Sequence, residues 1–290
     1  MLNYIAQLLI GTALLGGAAM VVSYLSDEAG ILHVAAAGLM GVGAYSSALL
    51  VINAHFPLIG ALLACIPIGA GCGVLVHAFT RSLRGSYLAM AFLSVAVVLH
   101  GAMVNWVSLT GGPMGLVNVP EIPLPPLIAT ISLIAVVLVL GLGLTRLRGT
   151  KFGMRVRAVR DDEVLSRDLR LQPGCVRLIL ILGSSSVLSI LGALYGSYLQ
   201  YLDPSSFTLS ESIAILAMAF AVPLNGPLRG LVGAAAFMIL PEALRFLGLP
   251  SSTAAQLREF IFGFALFLTV ASRKSGAFRL LSRRADVKSQ

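Results

Sequence analysis

The run LIATISLIAVVLVLGLGLTRLR, residues 127–148, decides the fold class of this chain. It carries no charge from Leu127 to Thr145 and ends on Arg146 and Arg148. An apolar run of about 20 residues matches the thickness of the bilayer hydrocarbon core, where each backbone polar group must be paired within its own segment. The run therefore predicts a membrane-spanning α-helix that ends at a basic aqueous segment.

The composition extends this prediction to the whole chain. Of its 290 residues, 58% are hydrophobic and 11% are charged, and the mean hydropathy is +0.94. A soluble domain carries roughly a quarter charged residues. No stretch alternates polar and apolar residues as a membrane β-barrel would, and the longest polar stretch runs from Arg146 to Arg177. The sequence predicts an all-α fold, a polytopic transmembrane helical bundle that forms a single domain over residues 1–290.

Apolar runs between charges and between Pro, Gly and Asn breaks divide the chain into about 8–10 membrane segments. The seventh segment is too short to cross a bilayer alone. Pro223-Leu-Asn-Gly-Pro227 follows it, which indicates a broken helix or a re-entrant turn. Glycines in the second segment, Gly38, Gly41 and Gly43, indicate a second discontinuous helix. The nine predicted segments are 4–25, 31–52, 58–80, 86–104, 127–145, 177–199, 211–222, 230–247 and 257–272.

The basic residues set the orientation of these segments. Assigning Arg81 and Arg84, the loop 146–177, Arg229 and the tail from Arg273 to one side collects 18 of the 20 Lys and Arg residues. Because short loops rich in Lys and Arg stay cytoplasmic, this side and the C-terminus are predicted to be cytoplasmic. The N-terminus falls outside if the second segment crosses once. This topology accounts for the net charge of +8, and no basic helix or aromatic platform indicates nucleic-acid binding.

The loop 146–177 contains an amphipathic stretch from Lys151 to Leu171. Apolar residues such as Val156 and Val159 alternate with charged residues at helical spacing. The pattern predicts a short helix just inside the membrane, which a partner protein could push as a rigid lever. A solvated loop, or one bound to lipid headgroups, is the alternative that this stretch leaves open.

Seven motifs, in order along the chain, resemble those of the permease subunits of branched-chain amino acid (LIV-type) ABC transporters. FGMRVRAVRDDE at 152–163 is similar to the family's coupling segment, FGRALRAIREDE. The other motifs are GLMGVGAY at 38–45, LRGSYLA at 83–89, TGGPMGL at 110–116, GALY at 192–195, PSSF at 204–207 and PEALR at 241–245.

The resemblance implies a permease subunit of a bacterial ABC importer in the inner membrane, which forms the path for branched-chain amino acids or a similar small polar solute. It implies four kinds of partner: a homologous second permease subunit, two cytoplasmic ATPase subunits, a periplasmic solute-binding protein and the lipid bilayer. A secondary transporter or channel for a small polar solute is the alternative. The sequence does not show the paired midplane acids that would favour it.

This chain has no GxxxxGK[ST] motif, so ATP would be used by the partner subunits and no cofactor would be bound here. No HExxH motif or Ser/His pair indicates an intramembrane enzyme. Cys65, Cys72 and Cys175 form no CxxC pair and have no nearby His, so no metal site is predicted. The chain is therefore expected to be a non-catalytic subunit.

The resemblance assigns ATPase coupling to the loop and marks two departures from the family. Leu165-Ser166 replaces a pair of small residues, and Asp168-Leu-Arg-Leu171 replaces ALGI, so the glycine that would end the coupling helix is missing. Ala221–Pro227 replaces a glycine-rich stretch, which leaves the solute undecided. The residues assigned to coupling are Arg155, Arg157, Arg160, Asp161, Glu163 and Leu165.

The candidate solute path combines small residues with hydrogen-bonding groups. Glycines permit close approach of backbone or solute, and a tyrosine hydroxyl could orient a solute. Ordinary glycine packing between helices is the alternative for the first group. The loop residues of the second group could receive solute or cap the bundle. The first group is Gly38, Gly41, Gly43 and Tyr45, and the second is Asn105, Thr110, Gly111 and Gly112.

Overall fold

The computed structural model describes residues 2–246 except 118, 120–124, 223 and 225. The ninth predicted segment, 257–272, and the basic tail lie outside the described residues. The regular secondary structure of the described residues is helical apart from two strands of two residues each. The helices are α1 (Leu2–Tyr24), α2 (Ala36–Ile52), α3 (Leu58–Thr80), α4 (Ser86–Asn105), α5 (Val107–Thr110), α6 (Pro126–Gly149), α7 (Lys151–Asp161), α8 (Glu163–Asp168), α9 (Pro173–Leu199), α10 (Leu209–Phe220) and α11 (Arg229–Phe246).

The structure confirms the predicted fold class. Within the described residues, α1, α3, α4, α6 and α9 are long and apolar enough to cross a membrane. Three shorter apolar helices, α2, α10 and α11, accompany them. At 12 residues, α10 is about 18 Å long, well short of the roughly 30 Å hydrocarbon core. It ends at Phe220, eight residues before α11 begins, where a broken helix was predicted.

The predicted start of the second segment, 31–52, is wrong. The helix begins at Ala36, and Gly38, Gly41 and Gly43 lie inside it without interrupting it. The interruption comes earlier, where a single π-helical turn (Leu25–Ala29) continues α1 and Gly30 ends it at a φ of 68°. Residues 31–35 then run through the interior without helix, and His33 and Ala35 are fully buried. The break lies between α1 and α2 because Gly30 can adopt the left-handed conformation that ends a helix.

Small residues allow the central helices to touch. A Cβ at Gly43 of α2 would overlap the backbone carbonyl of Ser189 in α9, and a Cβ at Gly192 would overlap that of Met40. On another face of α9, a Cβ at Gly69 of α3 would lie 2.5 Å from the Ser189 hydroxyl oxygen. Contact at backbone distance is how helices associate where no water drives burial. The helix α9 is therefore held between α2 and α3.

A second tight group joins α1, α10 and α11. A Cβ at Gly230 of α11 would overlap the backbone of Ala19 in α1, and one at Gly233 would overlap the carbonyl oxygen of Met218 in α10. A Cβ at Gly16 of α1 would lie 2.8 Å from Leu231. At these glycines the three helices are in direct contact, so they form one rigid group.

The end of the molecule beyond α4 and α9 is closed by loops. Strand β1 (Leu116–Val117) pairs antiparallel with β2 (Tyr201–Leu202). Asp203 caps the 3-10 turn Pro204–Phe207, and hydrogen bonds from the amide and hydroxyl of Ser205 hold the pKa of Asp203 below its ordinary value. This turn directs Phe207 into the core, where it is 2% exposed.

Candidate functional site: the coupling helices and the central cavity

Two side-chain caps divide the loop after α6 into two short helices. Thr150 caps α7, and its hydroxyl accepts the amide of Gly153 at 3.3 Å. A Cβ at Gly153 would lie 2.5 Å from the carbonyl oxygen of Leu147, so a glycine is needed for this close turn. Asp162 caps α8, and its carboxylate accepts the amides of Val164 at 2.9 Å and Leu165 at 3.0 Å. The loop therefore contains the helix predicted from sequence, followed by a second one. We call α7 and α8 the coupling helices.

The helix α8 ends without the family's glycine. Arg170 stands at the glycine position of the ALGI motif and adopts the left-handed conformation with a φ of 60°. The amide of Arg170 donates to the carbonyl of Arg167, and that of Leu171 donates to the carbonyl of Ser166, both at 2.9 Å. These two bonds form a Schellman motif. Arginine in place of glycine therefore changes the residue at this position, but the helix still ends in the same kind of motif.

Glu28 joins α7 to the end of α1. Its side chain is 2% exposed, and its carboxylate lies 2.5 Å from Nε of Arg148 and 2.8 Å from a guanidinium nitrogen of Arg157. Arg148 belongs to α6 and Arg157 to α7. A buried carboxylate is tolerated when it is paired and hydrogen-bonded, and here two arginines from different helices pair it.

The neighbouring Asp27 joins α7 and α1 to α11. Its carboxylate lies 3.2 Å from a guanidinium nitrogen of Arg229, the first residue of α11, which is 1% exposed. The guanidinium of Arg229 also lies over the ring of Phe220, 4.8 Å from the centroid, at the end of α10. From α7, Arg160 donates to the backbone carbonyl of Asp27. We call Asp27 and Glu28 the acidic junction.

Glu163 forms a separate cluster that holds α8. Its carboxylate lies 3.0 Å from Arg84, 2.8 Å from Arg167 and 3.9 Å from Arg177. Arg84 comes from the α3–α4 loop and Arg177 from the start of α9, where it also donates to the carbonyl of Leu83 at 3.1 Å. The coupling helices are therefore attached to the bundle at two places.

The opposite side of the coupling helices is uncovered. Met154 is 54% exposed, and Val164, Leu165 and Leu169 are 56–69% exposed. Arg155 and Asp161 are also exposed on α7. We call these six residues the docking face. Apolar side chains held out on short, anchored helices are suited to binding another protein.

The structure separates the six residues predicted for coupling into two groups. Arg155, Asp161 and Leu165 point outward on the docking face. Arg157, Arg160 and Glu163 bind the rest of their own chain. Their part in coupling stays a prediction, and the second group would act as anchors rather than as contacts.

A cavity of about 210 Å³ lies between α1, α2, α9, α10 and α11. Its walls combine apolar side chains with polar groups, among them the side chains of Tyr195, Ser206 and Glu211. The backbone amide of Ala37, in the first turn of α2, borders it and donates to the hydroxyl of Ser212 at 3.1 Å. The lining residues are Leu15, Ala37, Met40, Tyr195, Ser206, Phe207, Glu211, Ile215, Met218, Phe237 and Met238. We call it the central cavity.

None of the four predicted path residues of α2 is among the residues that line this cavity. Gly38 contacts Leu99 of α4, Gly41 lies against Met103 and Phe207, and Gly43 lies against Ser189. These contacts support the packing interpretation of the three glycines. Tyr45 is 4% exposed, donates to the carbonyl of Leu202 at 3.4 Å and meets the Phe207 ring edge-on.

The predicted path residues of the loop after α4 make local contacts. The Asn105 amide donates to the carbonyl of Gly101 at 2.8 Å. The Thr110 hydroxyl lies 2.7 Å from the carbonyl oxygen of Met103 and accepts the amide of Gly112 at 3.2 Å. Gly111 and Gly112 have φ values of 75° and 61°, which L side chains rarely adopt. These contacts hold the loop at the end of the bundle beyond α4, and a role in receiving solute stays a prediction.

Sequence reasoning missed the acidic junction and the polar residues of the cavity. A signal for the junction was present, because an Asp-Glu pair directly after an apolar run is unusual in a chain with 11% charged residues. Tyr195 and Phe207 belong to the GALY and PSSF motifs and were not assigned a role. Their position beside one cavity depends on contacts distant in sequence.

The fold is that of a polytopic helical membrane protein, with exposed short helices at one end and a cavity among five of its helices. Residues 4–270 match the family model described as "Branched-chain amino acid transport system / permease component". The chain belongs to this family, and it is a multi-pass inner-membrane protein.

Two relatives carry the printed name "High-affinity branched-chain amino acid transport system permease protein LivM", one from Escherichia coli (strain K12) and one from Salmonella typhimurium (strain LT2). Each is 26% identical to this chain over 250 residues, covering 74% of this chain and 58% of the relative. The chain therefore spans little more than half the length of these relatives. No solved structure matches it.

Proposed function

We propose that this chain is the translocation subunit of an ABC importer for branched-chain amino acids or a similar small polar solute. Separate ATPase subunits would bind its docking face, and a homologous second permease and a periplasmic binding protein would complete the complex. The proposal extends membership of the permease family to a transport mechanism. In this mechanism the chain is a non-catalytic subunit.

The docking face is the observation that carries the proposal. Val164, Leu165 and Leu169 are more than half exposed, and burying the exposed part of each against a partner contributes about 1–2 kcal/mol. The side behind them is fixed to the bundle through Glu28 and Glu163. A face that is both uncovered and anchored can receive force and pass it on. A purely solvated loop would need neither property.

The central cavity is the best candidate for a solute site within this chain. Apolar walls from Ile215, Met218 and Phe237 suit an aliphatic side chain, while Tyr195 and Glu211 offer hydrogen bonds to a polar head. The first turn of α2, whose Ala37 amide donates to Ser212, adds a positive dipole end near the cavity. We infer that an amphiphilic solute such as leucine or valine would pass here.

The first test is retention of an ATPase. The chain is purified from membranes that contain its partners, and ATP hydrolysis of the purified complex is measured with [¹⁴C]leucine uptake into proteoliposomes. Leu165→Glu should remove the ATPase, because a charge would be buried in the apolar contact. Met114→Glu, at an apolar residue of the loop beyond α4 that is even more exposed (82% against 56%), should keep it.

Two results would contradict the proposal. One is uptake of leucine by the purified chain alone, with no nucleotide and no second protein, which would indicate a secondary transporter or channel. The other is equal ATPase retention by Leu165→Glu and Met114→Glu, which would mean that the docking face does not bind it.

A further inference from the structure

We infer that the acidic junction is the mechanical link between the ATPase-driven coupling helix α7 and the helices that enclose the central cavity. The inference rests on the proposed function and names Glu28, Asp27 and Arg229 as positioning residues of the transport cycle. None of the three is among the residues that line the central cavity, so they would act through the helices that they join.

The first step of the link is from α7 to α1. Arg157 lies 2.8 Å from the Glu28 carboxylate, and Arg160 donates to the backbone carbonyl of Asp27. Both arginines come from successive turns of α7, so the helix holds the junction at two points. Val156, which directly precedes Arg157 and is 1% exposed, adds an apolar contact. A shift of α7 must therefore move the junction or break these bonds.

The second step is from the junction to α10 and α11. The Asp27 carboxylate pairs with Arg229, and the guanidinium of Arg229 stacks on Phe220. Since Asp27 and Glu28 are adjacent in one π-helical turn, displacement of one carries the other. The junction thus touches the ends of α1, α10 and α11, the three helices that pack as one rigid group.

The third step is from these helix ends to the cavity. Each of the three helices contributes to its wall: Leu15 from α1, Met218 from α10 and Phe237 from α11. Met218 lies within one turn of Phe220, and Phe237 lies about 12 Å along α11 from Arg229. Close glycine contacts at Gly230 and Gly233 leave no space to absorb a shift between the helices. Motion at the junction therefore reaches the cavity.

The Glu163 cluster offers a structural contrast. It joins α8 to the α3–α4 loop and to the start of α9. Neither α3 nor α4 lines the cavity in the described structure, and α9 reaches it only through Tyr195, about 27 Å along the helix from Arg177. This second attachment steadies the coupling helices against the bundle, whereas the acidic junction leads to the walls that must move.

The test distinguishes an ion pair that only stabilises the fold from one that transmits motion during transport. Arg157→Ala/Arg160→Ala detaches α7 from the junction and leaves Glu28 paired with Arg148 of α6. Arg148→Ala is the matched control, because it removes one arginine from the same carboxylate and leaves α7 attached. Each variant is assembled into the full complex, and leucine moved per ATP hydrolysed is measured in proteoliposomes, together with ATPase retention.

We expect the α7 double variant to keep the ATPase and its hydrolysis while solute moved per ATP falls about tenfold, the size of a typical coupling between sites. Arg148→Ala should keep the ratio within about twofold of the unaltered complex. An unchanged ratio in the double variant, or an equal fall in both variants, overturns the link while the proposed function stands. Failure of the unaltered chain to retain any ATPase overturns the proposed function and the link together.

Discussion

Arg170 adopts the left-handed backbone conformation at a position where its family has glycine. An L side chain in this conformation costs about 1–2 kcal/mol, because Cβ approaches the following carbonyl oxygen. The Schellman bonds of Arg170 and Leu171 compensate for that cost. The sequence showed that glycine is missing at position 170. It did not show how α8 would end, since a single residue does not reveal which hydrogen bonds its neighbours make.

Arg170→Gly should stabilise the end of α8 by about 1 kcal/mol, because glycine adopts the left-handed conformation without strain. The expected result is a higher apparent melting temperature of the purified chain in detergent. Arg155→Gly is the control, since glycine inside a helix costs about 1 kcal/mol and should lower the melting temperature. A fall of similar size in both variants would show that Arg170 is not strained.

At the scale of helices, composition and periodicity predicted most elements within a few residues. The segments 58–80 and 86–104 correspond to α3 and α4, because lipid requires long apolar helices. A break after the first segment was predicted at 26–30, but the non-helical stretch from Ile31 to Ala35 was not, since its residues are as apolar as those of a helix. The cavity also depends on which helices become neighbours, and periodicity does not encode that.

The crossing of α2 and α9 gives a test of glycine packing. Gly43→Ala should destabilise the bundle by about 1–3 kcal/mol, because the added methyl group would overlap the carbonyl of Ser189. Gly71→Ala in α3 should be neutral or slightly stabilising, since a Cβ there meets nothing within 4 Å. The melting temperatures of the two purified variants are compared.

An equal, small effect of both substitutions would contradict close packing at Gly43 and favour its alternative role beside an open path. The prediction thus also decides between the two interpretations that the sequence left open for this glycine.

At the scale of the whole molecule, the basic segments gather at one end. Arg84 pairs with Glu163, Arg148 with Glu28 and Arg229 with Asp27, and all three pairs surround the coupling helices. These arginines come from three of the four segments that the charge pattern assigned to the cytoplasm. The grouping agrees with that assignment, while the side of the membrane stays a prediction.

The sidedness can be tested with a pair of single cysteines at opposite ends. Asp168 is exposed at the end of α8, and Met114 is 82% exposed in the loop beyond α4. In a background with Cys175→Ser, which removes the exposed native thiol, an impermeant maleimide applied to intact spheroplasts should label Met114→Cys and not Asp168→Cys. Inverted vesicles should give the opposite pattern, because the basic end is predicted to be cytoplasmic. Labelling of Asp168→Cys from outside would place the docking face in the periplasm, beyond the reach of any ATPase that uses cytoplasmic ATP.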